Sequence, residues 1–267
     1  MKLFYRKYGS GPPLVILHGL YGSSDNWVSI ASKLSNRFTV ILPDLRNHGQ
    51  SPHSQIHTYE SMADDLLELA RDLRLSEFML AGHSMGGKVA IAFALRFPEM
   101  LNGLVVVDIS PFGSASESNP FFVEHHKILE SILAARPEEQ STRADVEKIL
   151  AMNISSERTR SFIMKNLRRS AGGKFEWKLN APALYQNLAS ITDGVAERNN
   201  LPAPVTGFPV IFLKGSDSDY IDPSYNNDIV KLFPAAEIIT IQGTGHWIHA
   251  DKPDETAEIF LSLLEGN

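Results

Sequence analysis

The stretch LAGHSMGGKVA, residues 80–90, sets a serine among glycines where a short apolar run ends and a helical period begins. Within it, Gly82-His83-Ser84-Met85-Gly86 fits G-x-S-x-G, with a β-like run at 78–81 before it and a helix-like run at 88–97 after it. A serine on so tight a strand-to-helix turn must adopt a strained backbone, and neighbours carrying a Cβ two places to either side would collide with it. Its hydroxyl then stands clear at the carboxyl end of a strand. The following amides, at a helix N-terminus, point toward any negative charge that develops nearby. A serine that only caps a glycine-rich turn has the same local sequence, so reading Ser84 as a nucleophile depends on the rest of the chain.

A serine hydroxyl is a poor nucleophile without a base. In EIITIQGTGHWIHADKP, residues 237–253, His246 follows the last β-like run after a Gly-Thr-Gly turn and is placed to project over a sheet edge. His249 lies three residues on, nearer the helix that Pro253 opens, and reads as a turn histidine, so His246 is the candidate base. Acyl transfer also needs donors for an oxyanion. In VILHGLYGSSDNW, residues 15–27, Gly19 lets the chain bend after a strand so that the Leu20 amide faces the nucleophile, and the Met85 amide is the second candidate donor. His18 reads as a residue that holds this loop by hydrogen bonds.

Around these motifs, short apolar runs alternate with segments of helical period, as in a parallel sheet covered on both faces. Strands are expected at 14–17, 38–42, 78–81, 104–107, 210–213 and 237–241, and crossover helices at 62–73, 85–97, 225–232 and 253–264. The alternation fails between 111 and 205, where no strand is evident and three helical stretches intervene. This is the pattern of a helical insertion, 111–205, in a core made of 1–110 and 206–267. The insertion contributes Phe112, Phe121, Phe122, Phe162, Trp177 and Tyr185, enough apolar surface to line an acyl pocket.

Composition narrows the possible functions. With 43% hydrophobic residues in 267, the chain can bury one sizeable core. The 25 Lys and Arg against 31 Asp and Glu, without long runs of either sign, offer no basic face for nucleic acid. Cysteine is absent, which removes disulfides and thiolate metal sites. The longest apolar run near the N-terminus is 14–17, too short for a signal sequence or a membrane span, so a soluble cytoplasmic protein is expected.

Taken together, these residues resemble the α/β-hydrolase family over nearly the whole chain. PDLRNHGQSP at 43–52 is similar to that family's loop after the next strand, and GTGHWIHADKP to its histidine loop. VVVDISP at 105–111 and FEWKLNAPAL at 175–184 are similar to small bacterial esterases grouped with alpha/beta-hydrolase domain-containing protein 11. The resemblance implies the α/β-hydrolase fold: a mostly parallel eight-stranded sheet with helices on both faces and a helical cap inserted after strand six. It also implies hydrolysis of a small-molecule ester or thioester without a cofactor or metal. One departure lies at the N-terminus, where residues 3–8 leave room for only one short strand or a tight hairpin.

The acid is the second departure. The family places it after strand seven as G-x-x-D, whereas LKGSDSDYI puts Ser218 at that offset, with Asp217 and Asp219 on either side. Asp108, at the tip of the preceding sheet strand, is the leading candidate to accept the histidine Nδ1 proton, with Asp219 and then Asp217 as alternatives.

Other conspicuous residues have plainer readings. Asp44, Arg46, His48 and Gly49 shape a loop, Trp27 packs its loop onto the sheet, and His125-His126 read as a solvated helix face. Lys165, Arg168 and Arg169 fall on one helical face and offer a cationic partner to an anionic leaving group such as coenzyme A. Rival functions on the same scaffold are a cofactor-free haloperoxidase, a carbon–carbon bond hydrolase or lyase, and a non-catalytic ligand receptor. Dehalogenases and epoxide hydrolases are disfavoured because they carry an aspartate where this chain has Ser84.

Overall fold

The computed structural model describes residues 1–265. Nine strands form in chain order: β1 Tyr5–Tyr8, β2 Pro13–Leu17, β3 Thr39–Pro43, β4 Phe78–His83, β5 Leu101–Val107, β6 Leu167–Arg169, β7 Phe175–Trp177, β8 Val210–Gly215 and β9 Ala236–Ile241. Seven make one sheet in the order β1-β3-β2-β4-β5-β8-β9, and β6 and β7 form a separate antiparallel pair. Within the large sheet only β1 runs antiparallel to its neighbour. The sheet therefore has seven strands among the described residues, one fewer than the resemblance implied. Only four residues ahead of β2 are extended, and the chain turns back through Gly9 and Gly11 at φ +72° and +131°.

The parallel strands are near-continuous apolar runs because both faces are covered. In β2, Val15 and Leu17 belong to one buried cluster and Leu14 and Ile16 to another, and Leu80 and Leu104 separate from Met79 and Val105 in the same way. Period-two alternation thus sends neighbouring residues into two different cores. Helices α1 (Val28–Leu34) and α11 (Pro253–Glu265) cover one face. Helices α2 (Tyr59–Asp72) and α3 (Met85–Arg96) cover the other.

Residues 111–205 carry α4 (Pro120–Ala134), α5 (Arg143–Ala151), α6 (Glu157–Met164), α7 (Ala181–Gln186) and α8 (Leu188–Thr192) between β5 and β8. Their buried residues, such as Leu129, Val146 and Leu184, join the cluster over α2 and α3, so the insertion shares a core with the sheet. The helices expected there form, but the stretch is not wholly helical. Residues 167–169 pair with 175–177 across a turn in which Gly173 takes φ +80°. Two short helices, α9 (Asn226–Leu232) and α10 (Ile248–Asp251), complete the set. No helix among the described residues is long and apolar enough to cross a membrane.

The register aligns the carboxyl ends of the central strands. His83 of β4 pairs with Val107 of β5, Val107 with Leu213 of β8, and Gly215 with Ile241 of β9. The ladder runs on past the strand ends: Ser84 N–H donates to Val107 O (3.0 Å), Asp108 N–H to Leu213 O (2.8 Å) and Ser216 N–H to Ile241 O (3.0 Å). Three loops leave one rim side by side, the place where ligands bind in open α/β sheets.

Candidate active site

Ser84 stands between β4 and α3 with φ +53° and ψ −121°, a left-handed backbone that a non-glycine residue rarely adopts. The glycines on either side are steric requirements. A Cβ on Gly82 would sit 2.1 Å from the Gly86 carbonyl oxygen, and one on Gly86 would sit 2.5 Å from the His18 carbonyl oxygen. The turn thus packs backbone against backbone, and the chain emerges as the first turn of α3.

Asp108, the first residue after β5, also has positive φ (+51°) and is fully buried. It does not cap the insertion, whose first helix begins twelve residues later at Pro120. Its Oδ1 accepts the Gly215 N–H at 3.0 Å, and its Oδ2 accepts the Ser218 hydroxyl and the His246 Nδ1–H, the latter at 2.8 Å. Ser218, at the offset where the resemblance would put an acid, instead donates to one. Asp217 and Asp219 are exposed in the same turn; Asp217 accepts from the Ser216 hydroxyl at 2.8 Å.

His246 is held from three sides. Its Nδ1 meets Asp108, the Tyr220 ring stacks on it with centroids 3.8 Å apart, and its carbonyl accepts the His83 Nε2–H at 2.8 Å. Because His83 directly precedes Ser84, that bond ties the histidine loop to the serine turn. With its proton on Nδ1, the neutral ring leaves Nε2 as an acceptor. His249 is elsewhere: buried, stacked on Trp27 at 4.4 Å, with its pKa pushed down to about 3, first by burial and then by the His246 charge.

The loop after β2 is pinned by buried histidines. His18 Nδ1–H donates to Gly19 O (2.9 Å) and its Nε2 accepts the Leu45 N–H (2.9 Å); His48 Nε2 accepts the Tyr21 N–H (3.3 Å). Burial lowers the pKa of both rings, and a neutral imidazole is what accepts these amides. Asp44 accepts from the Ser24 and Gln50 amides at 2.6 and 2.8 Å, and Arg46 forms a buried two-pronged pair with Asp65 at 2.6 and 2.8 Å. The backbone N–H groups of Leu20 and Met85 donate to no other group among the described residues, and both residues line the same cavity as Ser84.

That cavity encloses about 230 Å³. Sheet-end residues supply one wall, and Phe112, Phe121, His125, Ile191 and Thr192 of the insertion supply much of the rest. Of the six aromatics expected to line it, Phe122, Phe162, Trp177 and Tyr185 pack against the core cluster instead. His125 corrects the expectation of a solvated face. It is half-buried against the cavity, its Nδ1 lies 3.3 Å from the Tyr21 hydroxyl, and burial, with the His246 and Lys88 charges, lowers its pKa to about 4. The shared basic face of Lys165, Arg168 and Arg169 is likewise absent. Helix α6 stops at Met164, Arg168 pairs with Glu176 at 2.8 Å, and the Arg169 guanidinium lies over the Phe175 ring. Tyr220 and Lys88 went unread in the sequence, since neither belongs to a motif and both depend on how distant loops pack.

A sheet of this order with a strained serine turn, a buried Asp bonded to a half-buried His, and free amides on one rim defines an alpha/beta hydrolase. The family model described as the alpha/beta hydrolase fold matches residues 12–253, and the chain belongs to that family. Among relatives, it is similar to the sn-1-specific diacylglycerol lipase ABHD11 of Mus musculus, 39% identical over 256 residues covering 95% of this chain and 81% of that one. It is also similar to Esterase YbfF of Escherichia coli (strain K12), 31% identical over 243 residues covering 91% and 89%. Among solved structures, a marine microorganism esterase superposes with a TM-score of 0.93 at 41% identity, covering 98% of this chain and 99% of that one. These relationships place the chain among hydrolases with esterase- and lipase-named relatives.

Proposed function

We propose that the protein is a serine hydrolase of carboxylic esters or thioesters that works through an acyl-enzyme on Ser84. His246 Nε2 takes the Ser84 proton as Oγ attacks the carbonyl carbon, and the Leu20 and Met85 amides receive the oxyanion. The tetrahedral species collapses, the bond to the leaving oxygen or sulfur breaks, and His246 returns the proton to that group. Water then attacks the acyl-enzyme with His246 again as base, releasing the acid and restoring Ser84. Asp108 fixes the ring tautomer and stabilises the imidazolium.

The observation that carries this reading is the Asp108–His246 hydrogen bond on the same rim as the strained Ser84 turn. In this reading residues 111–205 act as a cap on the core of 1–110 and 206–267, in a cytoplasmic enzyme. The cavity of about 230 Å³ falls below the roughly 300–1,000 Å³ usual for ligand pockets, which favours short acyl groups.

The test is a p-nitrophenyl ester series run with a fluorophosphonate label. Wild-type protein should give a burst, favour short chains, and carry one label on the peptide containing Ser84. Ser84→Ala should lose both the label and roughly 10⁴- to 10⁶-fold in kcat. Labelling of a different residue, or Ser84→Ala turnover near wild type, would remove the proposal.

A further inference from the structure

Lys88 lies one turn into α3 from Ser84, its backbone N–H donating to the Ser84 carbonyl at 3.1 Å. It is only 4% exposed and is the one charged residue in the helix before Arg96 at its end. Its Nζ donates to the carbonyls of Thr192 (3.3 Å) and Asp193 at the C-terminal end of α8, and lies 5.6 Å from the centroid of the Tyr59 ring. No carboxylate of the described residues lies within 4.0 Å of it. The Asp193 side chain is exposed and accepts instead from the Gly194 N–H.

Capping α8 does not by itself account for a buried cation. An ammonium has three donors and the two carbonyls occupy two of them. Carbonyl dipoles satisfy hydrogen bonds but supply no counter-charge, and burying an unneutralised charge is costly. Burial accordingly draws the Lys88 pKa down to about 8, against the pull of the Asp193 charge. Lys88 also lines the cavity that contains Ser84, together with Tyr59, Ile191 and Thr192. The other titratable groups facing that space are His125 and Tyr220, whose pKa values shift toward their neutral forms, the Tyr225 phenol, and the carboxylates of Asp219 and Asp222. The two carboxylates are exposed, so water and salt screen them more than they screen the enclosed ammonium.

We infer that the cavity receives an acyl group ending in a carboxylate, which Lys88 binds through its remaining donor. The substrate class is then the half-ester or half-thioester of a short dicarboxylic acid. The inference rests on the assignment of Ser84 as nucleophile. Hydrolysis consumes one water and gives the free dicarboxylate and the alcohol or thiol, with the bonds broken and formed as in the acyl-enzyme cycle above.

The test compares kcat/KM at pH 7, by pH-stat titration, for the monoethyl esters of succinic, glutaric and adipic acid. Each is paired with the neutral ethyl ester that carries an isopropyl group where the carboxylate stood. At one chain length or more, the wild-type protein should favour the half-ester by about tenfold or more, and Lys88→Met should reverse that preference. A purely structural lysine would lower both members of a pair by the same factor, and that result overturns the inference. So does a wild-type preference for the neutral ester at every length, a comparison that does not depend on the variant folding. If neither class of ester is turned over, or if Ser84→Ala retains the activity, the serine-hydrolase reading fails and this inference goes with it.

Discussion

Asp108→Asn is the sharpest probe of the proposed relay, because the structure fixes what each atom of the replacement would face. The buried carboxylate accepts from Gly215 N–H, the Ser218 hydroxyl and His246 Nδ1–H. In the isosteric amide, Oδ1 can keep the Gly215 bond, and Nδ2 then points at Ser218 and His246. A hydroxyl can turn to accept, but Nδ1 can accept only if the ring proton moves to Nε2. A protonated Nε2 cannot take the proton of Ser84. The same tautomer error in a Ser-His-Asp triad costs about 10⁴ in kcat, or about 5.4 kcal/mol at 1.36 kcal/mol per decade. Steady-state turnover of p-nitrophenyl butyrate, with circular dichroism to establish folding, measures it. Asp217→Asn and Asp219→Asn, both in the exposed turn, should stay within about twofold of wild type. The reasoning is refuted if Asp108→Asn stays within about tenfold of wild type, or if Asp219→Asn alone loses three decades.

Acid stability follows from buried rings. His57 and His249 each have a folded pKa of about 3, caused first by burial, against about 6.5 in an unfolded chain. Above pH 6.5 both states leave them neutral. As pH falls below that value the unfolded state binds protons the native state refuses, so stability drops by on the order of 1.4 kcal/mol per pH unit for each ring. These two rings alone should therefore cost roughly 5 kcal/mol in urea unfolding between pH 6 and pH 4, and a flat profile would count against neutral buried rings. The serine turn makes a steric prediction. Gly82→Ala, whose Cβ would meet the Gly86 oxygen at 2.1 Å, should cost about 3 kcal/mol or more, whereas Gly103→Ala, whose nearest contact is 3.4 Å to the Met79 side chain, should cost under about 1 kcal/mol. Equal denaturation midpoints for the two variants would contradict the backbone packing described.

What could be read in advance was whatever a short segment determines alone. The runs at 14–17, 78–81 and 104–107 are continuous apolar stretches flanked by turn residues, and each lies within a strand of the parallel sheet. The serine turn was legible because backbone crowding demands glycine at fixed offsets. Helix α1 is not legible because seven residues following a tight turn carry too little periodicity to stand out. The β6–β7 hairpin is not evident because NLRR continues the helical pattern before it, and only pairing with 175–177 makes it a strand. The cavity residues that the sequence does not reveal are hidden for one reason. His125, Lys88 and Tyr220 look like helix-surface or loop residues until the insertion folds onto the sheet and encloses them.

If Asp108 is the acid of the proposed triad, its position shows how a local departure can keep a carboxylate beside the histidine loop. Strands β5 and β8 are adjacent and in register, Val107 beside Leu213, so the residues leaving their tips lie within reach of the same histidine loop. Placing the carboxylate on β5 puts it at full burial under the loop after β8, where Gly215 and Ser218 supply the donors a buried carboxylate requires. An aspartate retained at 218 would face Asp108 across a hydrogen-bond distance, and two enclosed carboxylates that close repel one another. A hydroxyl at 218 and an acid at 108 are therefore coupled choices. The serine at the offset where the resemblance would put an acid is the residue that lets the neighbouring strand hold a buried carboxylate against His246.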